Sequence, residues 1–83
     1  MQKVNLELIK KLRKERHISQ EEMAKRLGFN TQYPYHRKES GKQPFHADEI
    51  YAIAIMFEKP IEYFFSNRLA KNASEQQKKR VVS

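Results

Sequence analysis

The sequence contains no cysteine, which excludes disulfide bonds and thiolate metal ligands and implies no oxidising compartment. It also lacks an apolar run approaching the roughly 18 residues that a membrane-spanning helix needs, and its N-terminus lacks the apolar segment of a signal peptide. We therefore expect a soluble, cytoplasmic protein. The three histidines and ten carboxylates show no metal-binding spacing such as HExxH, so we predict neither a metal nor a cofactor.

The length of the chain limits its number of domains and its possible functions. Eighty-three residues form one domain, with no room for a second independent core. The pattern of residues offers no combination of nucleophile, base and cavity, so we predict that the protein is not an enzyme. With 39% hydrophobic and 33% charged residues, the chain is polar but lies above the disordered range.

Positive charge is unevenly distributed along the chain. The net charge of +7 and the isoelectric point of about 9.8 suit a nucleic-acid partner. Residues 66–83 hold five Lys or Arg and one Glu, which accounts for +4 of that total. We therefore assign residues 1–65 to the folded domain and residues 66–83 to a basic tail, either a frayed helical extension or a disordered segment.

Apolar residues recur at helical spacing before the tail, and no segment alternates with a period of two residues. Asn5 suits the N-cap of a first helix, and His17 suits its end because histidine tolerates the left-handed conformation. Ser19 suits the N-cap of a second helix that ends at Gly28. With a third helix, a fourth whose inner face is Ile50, Ile53, Ala54 and Phe57, and a last one that begins at Pro60, we predict a compact all-α fold of five helices.

Several motifs together resemble the Cro/repressor-type (XRE-like) helix-turn-helix family. The resemblance covers roughly residues 6–65, and its markers are Leu12-Arg13, Ser19-Gln20-Glu21-Glu22, Ala24, Leu27-Gly28, Glu39-x-Gly41-Lys42 and Phe64-Phe65. Each marker alone is weak, but together they are specific. In this family the second helix braces against double-stranded DNA and the third enters the major groove. The resemblance therefore implies a DNA-binding domain.

The stretch TQYPYHRKESGK corresponds to the reading helix, by which we mean the helix that enters the groove. The turn before it is one residue longer than is usual in the family, and Pro34 replaces an ordinary helix former. Because a residue before proline avoids the α region, we expect Tyr33 to be extended and Pro34 to be the first helical residue. The reading helix should then run to about Glu39 and end at Gly41.

The resemblance also implies which side chains contact DNA. Arg37 offers two donors that match O6 and N7 of guanine, and Gln32 can pair with N6 and N7 of adenine. Gln20 aligns with a glutamine that anchors a phosphate at the start of the second helix. The implied base-reading residues are Thr31, Gln32, Tyr33, His36 and Arg37, and the implied phosphate contacts are Gln20, Asn30, Lys42 and Arg13.

Other residues of this region have structural expectations. In the family an arginine matching Arg13 often pairs with the glutamate matching Glu39, which locks the first helix to the third. Tyr35 stands where relatives have an inward apolar residue, so we expect it in the core. Lys38 also replaces an apolar residue, and we expect its stem to cover the core while its amine reaches solvent. For His36, base contact and simple surface exposure both remain open.

We predict a sequence-specific, homodimeric, DNA-binding transcriptional regulator, and the resemblance favours a small repressor of bacterial or phage origin. A regulatory protein partner is compatible with this prediction. The alternative is a protein-interaction module on the same fold, an antitoxin or antirepressor, in which DNA binding is secondary or lost. Pro34 and the longer turn favour that alternative, because a surface filled with aromatic groups can dock an apolar partner.

Overall fold

The computed structural model describes residues 3–65, which form four α-helices and a 3-10 helix, with no strand among them. The elements are α1 (Leu6–Glu15), α2 (Gln20–Arg26), α3 (Tyr33–Glu39), α4 (Ala47–Phe57) and the 3-10 helix (Ile61–Phe65). The predicted all-helical fold is confirmed, and the fifth of the described elements is a 3-10 helix. None of the helices described here is long and apolar enough to cross a membrane. The predicted tail, residues 66–83, lies outside the described residues.

Local sequence explains where the first helices begin and end. The side-chain oxygens of Asn5 and Ser19 each accept the backbone N–H three residues on, at 3.0 Å, as N-caps do. His17 follows α1 with a φ of 58°, the left-handed conformation expected of a helix terminator. Glu58 adopts the same conformation after α4, with a φ of 59°, although it is neither a glycine nor an asparagine, the residues that usually end a helix in this way.

One core lies where the inner faces of all five elements meet. Tyr35 is fully buried, as expected, and its ring packs edge-to-face on Phe45 with the centroids 5.9 Å apart. The start of α1 is tied to the 3-10 helix because the N–H of Asn5 donates to the carbonyl of Phe64 at 2.7 Å. The buried apolar residues are Leu8, Ile9, Leu12, Met23, Ala24, Tyr35, Ile50, Ile53, Ala54, Phe57 and Phe64.

The helix α3 begins one residue earlier than the sequence predicts. Tyr33 is helical, so the expectation that it is extended was wrong, and Pro34 is the second helical residue. The bias against helical conformation before proline is outweighed here by the packing of Tyr35, which anchors the helix in the core. Pro34 nevertheless lies in the first turn and does not break the helix, because N–H groups of the first turn have no intrahelical partner. The first bond of the helix runs from the N–H of His36 to the carbonyl of Gln32, at 3.0 Å.

The carboxylate of Glu39 joins α1 to α3 inside the core. Arg13 donates from Nε to Oε2 at 2.8 Å and from Nη2 to Oε1 at 3.1 Å, and its Nη1 donates to the carbonyl of Ile18 at 2.9 Å. The Tyr35 hydroxyl donates to Oε2 at 2.7 Å. Both members of the ion pair are buried. A buried charge is tolerated when it is paired and hydrogen-bonded in this way, so the pair fixes how α1 and α3 pack.

This environment sets the ionisation of the three groups. Burial by itself would raise the pKa of Glu39, but hydrogen bonds from Arg13, Tyr35 and Gln20 together hold it below the ordinary value. The hydrogen bond to Glu39 raises the pKa of Arg13, and burial raises the pKa of Tyr35. Glu39 is therefore an ionised acceptor at neutral pH, and Tyr35 is a protonated donor.

A second ion pair, between buried Lys38 and partly buried Glu49, ties α3 to the start of α4. The amine of Lys38 lies 2.6 and 2.7 Å from the two carboxylate oxygens of Glu49 and 5.0 Å from the ring centroid of Phe29. Glu49 also accepts the backbone N–H of His46, the N-cap of α4, at 2.8 Å. The expectation that the Lys38 amine reaches solvent was wrong, because Glu49 takes the place of water.

We expect Glu49→Gln to lower the free energy of unfolding by about 3 kcal/mol, because it leaves the buried ammonium of Lys38 without its counter-charge. The glutamine keeps an oxygen that can accept the His46 N–H, so the N-terminal cap of α4 is the same in the wild type and in both variants. Adding Lys38→Met removes the stranded charge and should restore most of the loss. Urea unfolding of both variants measures this, and a double variant no more stable than Glu49→Gln would contradict it.

Stability should also depend on the ionisation of Glu39. Its pKa in the folded chain lies below the ordinary value of 4.5, so the folded chain binds fewer protons than the unfolded chain. The stability that Glu39 contributes is therefore complete above about pH 4.5 and is lost as the pH falls through the lower folded-state pKa. Urea unfolding at several acidic pH values should show a steeper loss for the wild type than for Glu39→Gln. Equal slopes would show that another carboxylate governs the acid limb.

Candidate nucleic-acid interface

The predicted base-reading residues lie together on the outer side of α3 and the turn before it. Thr31, Gln32 and His36 are exposed, and Tyr33 has 63% of its surface accessible. Arg37 is partly buried. The inner side of the same helix carries Tyr35, Lys38 and Glu39, all buried. The period of the helix thus separates a structural face from a polar face that is open to a partner.

Arg37 is supported but not strongly bound within the protein. Its guanidinium carbon lies 5.8 Å from the ring centroid of Tyr33, close enough for a cation–π contact. Its two terminal nitrogens lie 3.5 Å from the Tyr33 hydroxyl and from the carbonyl of Lys42, which are long distances for hydrogen bonds. The planar group is therefore oriented by Tyr33 while its donors can exchange these weak contacts for a better acceptor.

Gln20, the first residue of α2, connects the buried carboxylate to the exposed side of α3. Its Nε2 donates to Oε1 of Glu39 at 2.8 Å. Its Oε1 accepts from Nε2 of Gln32 at 3.2 Å and lies 3.2 Å from Nδ1 of His36. An amide nitrogen carries two hydrogens, and the bond to Glu39 occupies one of them.

The bond between Gln20 and Gln32 decides which edge Gln32 presents. Since the Gln20 oxygen can only accept, Gln32 must turn its nitrogen toward Gln20. This bond uses one of the two hydrogens on that nitrogen, and Gln32 keeps its carbonyl oxygen for another partner. A donor beside an acceptor is the combination that pairs with N7 and N6 of adenine.

Apart from Gln20, the predicted phosphate contacts divide into two groups. Asn30 and Lys42 are exposed, and Lys42 directly follows Gly41, whose φ of 86° ends α3 in the left-handed conformation. Arg13, in contrast, has only 8% of its surface accessible, and all three of its nitrogens donate within the protein. The expectation that Arg13 contacts phosphate conflicts with this placement, because the Glu39 carboxylate and the Ile18 carbonyl already occupy the guanidinium.

Sequence reasoning missed two features of this surface. Lys25 of α2 lines an open groove together with Asn30, Thr31 and Gln32. Its position four residues after Glu21, which lines the same groove, is the sequence signal that could have indicated it. The contact between Gln20 and His36 had no such signal, because it depends on how α2 and α3 cross.

Comparison with known proteins identifies the family of the chain. A family model described as helix-turn-helix matches residues 9–64, which reach from α1 into the 3-10 helix. No curated protein and no solved structure matches the chain. The matched family is one of DNA-binding regulators and not typically of enzymes. The resemblance noted in the sequence is thus confirmed, and the chain belongs to the Cro/C1-type (XRE) helix-turn-helix family, whose members bind double-stranded DNA.

Proposed function

We propose that this protein is a sequence-specific transcriptional regulator, a small cytoplasmic repressor that places α3 in the major groove of an operator. The observation that carries the proposal is the polar face of α3, where exposed donors and acceptors are oriented by contacts within the protein. Such orientation favours base reading, because side chains that are already ordered lose less conformational entropy on binding. Repression would follow from occupancy of the operator, in competition with polymerase.

The side chains divide into two roles in this proposal. Arg37 offers paired donors to guanine, Gln32 offers a donor and an acceptor to adenine, and Thr31, Tyr33 and His36 complete the base-reading set. Gln20, with its second amide hydrogen, and Asn30 and Lys42, by their exposure, would contact phosphates. Phosphate contacts make affinity depend steeply on salt, whereas base contacts set the sequence that is preferred.

Selection of bound fragments from random duplexes would identify the operator, and Arg37→Ala then tests base reading. We expect this variant to lose about 1–3 kcal/mol of binding free energy on the operator and almost nothing on random duplexes. Lys42→Ala is the control. It should weaken binding to both duplexes alike and reduce the salt slope by about 1.

Equal losses of Arg37→Ala on both duplexes would show that Arg37 contacts phosphate and reads no base. Failure to select any duplex above random DNA would contradict the proposed function itself. Under that outcome the protein-interaction alternative would become the better explanation of the polar and aromatic face of α3.

We also propose that the protein acts as a homodimer, in which two copies of α3 meet half-sites about 34 Å apart. A two-fold dimer needs a self-complementary surface. Tyr51 and Ile55 are 60% and 59% exposed and stand one turn apart on α4, so they share one face of that helix. Outside α3, they are the most exposed large apolar side chains among residues 3–65, which makes a second copy of this face a suitable cover.

Tyr51→Lys combined with Ile55→Lys tests this interface. Because both side chains are largely exposed, we expect the melting temperature of the monomeric fold to change little. Sedimentation should show a shift from dimer to monomer, since four like charges would face one another across the two-fold axis. A dimer that persists in this variant would exclude the α4 face, and a monomeric wild type on an operator without inverted repeats would contradict the homodimer.

A further inference from the structure

The hydrogen-bond directions around Gln20 follow from the chemistry of the core. Glu39 accepts from Arg13, a permanent cation, and from the Tyr35 hydroxyl, so its carboxylate acts only as an acceptor. The Gln20 atom that lies 2.8 Å from Glu39 Oε1 must therefore be the amide nitrogen. Since the two ends of an amide are opposite, the Gln20 carbonyl oxygen must face α3.

That oxygen decides which ring nitrogen of His36 carries the proton. Gln20 Oε1 lies 3.2 Å from His36 Nδ1, and a carbonyl oxygen has no hydrogen to donate. A bond across this distance therefore requires a hydrogen on Nδ1. With the other tautomer, two lone pairs would face each other at hydrogen-bond distance.

We propose that Gln20 is a positioning residue that holds neutral His36 in the Nδ1–H tautomer, and that His36 is a specificity-determining residue whose Nε2 offers an acceptor to the major groove. The two halves of the imidazole are distinct, and the bond made by one nitrogen sets the role of the other. Because His36 lies on the exposed face of α3, its Nε2 pairs with a base that presents an exocyclic amine. Those bases are adenine, through N6, and cytosine, through N4.

The accounting of donors supports this assignment. A carbonyl oxygen has two lone pairs, and Gln32 and His36 supply two donors to the Gln20 oxygen. A carboxylate offers about four acceptor sites, and four donor atoms reach Glu39, two from Arg13, one from Tyr35 and one from Gln20. A reversed Gln20 amide would place an oxygen against the carboxylate of Glu39 and a nitrogen against the nitrogen of Gln32. Both the bond to Glu39 and the bond from Gln32 would then be lost.

The tautomer can be measured in the free protein, without DNA. Long-range proton–nitrogen NMR of ¹⁵N-labelled full-length protein distinguishes Nδ1 from Nε2 by their couplings to the ring protons. In the neutral imidazole of His36, we expect a protonated Nδ1 and an unprotonated Nε2. Gln20→Ala should abolish that preference, whereas Gln32→Ala, which removes the other donor to the same oxygen, should leave it unchanged. A protonated Nε2 in the wild type, or a tautomer insensitive to Gln20→Ala, would overturn the positioning role.

The acceptor role rests on the proposed function and is tested with modified operators. His36→Ala should relax selection at one base pair of each half-site, which identifies the pair that His36 faces. Removing the exocyclic amine of that pair, with purine in place of adenine or 2-pyrimidinone in place of cytosine, should weaken wild-type binding roughly 2- to 10-fold. The same replacement should not affect His36→Ala. A loss caused by 7-deaza substitution of the purine, which removes the N7 acceptor, would show that His36 donates and would overturn the proposal.

The two failures are distinguishable. If no duplex is selected above random DNA, the proposed function fails and the base preference of His36 fails with it. The tautomer, in contrast, stands or falls on the NMR measurement alone. A sequence-specific operator combined with a protonated Nε2 would keep the proposed function and exclude this inference.

Discussion

The carboxylate of Glu39 is the interaction on which the rest of this small domain depends. Donors from three helices converge on it, namely Arg13 of α1, Gln20 of α2 and Tyr35 of α3. A buried ion pair adds little net stability, because desolvation offsets most of the Coulomb attraction. What such a pair contributes is a fixed arrangement, since each helix must bring its donor to the same two oxygens. The angle between α2 and α3, and with it the shape of the DNA-facing surface, follows from that requirement.

Local signals in the sequence predicted much of the fold. Asn5 and Ser19 indicate helix starts, and His17 indicates a helix end. These positions can be predicted because a cap involves residues only three or four positions apart in the sequence. The end of α4 at Glu58 could not be predicted in this way, since nothing in its residue type favours the left-handed conformation it adopts. There the fold, and not the local sequence, determines the backbone.

Contacts between residues far apart in the sequence could be predicted only where the family resemblance implied them. Arg13 and Glu39 are 26 positions apart, and only the resemblance brought them together in advance. The pairs Lys38–Glu49 and Gln20–His36 are 11 and 16 positions apart, and neither was expected. Lys38 shows why such contacts are hard to predict. A lysine at a usually apolar position is expected to extend its amine to solvent, and this expectation changes only if a partner such as Glu49 is known. The partner is placed by tertiary structure, which composition and spacing do not encode.

The turn before α3 places two polar side chains, Gln32 and His36, against one acceptor, the carbonyl oxygen of Gln20. Gln32 has helical backbone angles although it is the N-cap, so its side chain stands one helical turn before that of His36. Both side chains therefore reach Gln20 Oε1, at 3.2 Å each. Pro34 lies between them and fixes its own φ near the helical value, which rigidifies the first turn at a position where a missing N–H is harmless. Pro34 thus helps to hold the side chains of Gln32 and His36 in the register that the buried carboxylate, through Gln20, requires.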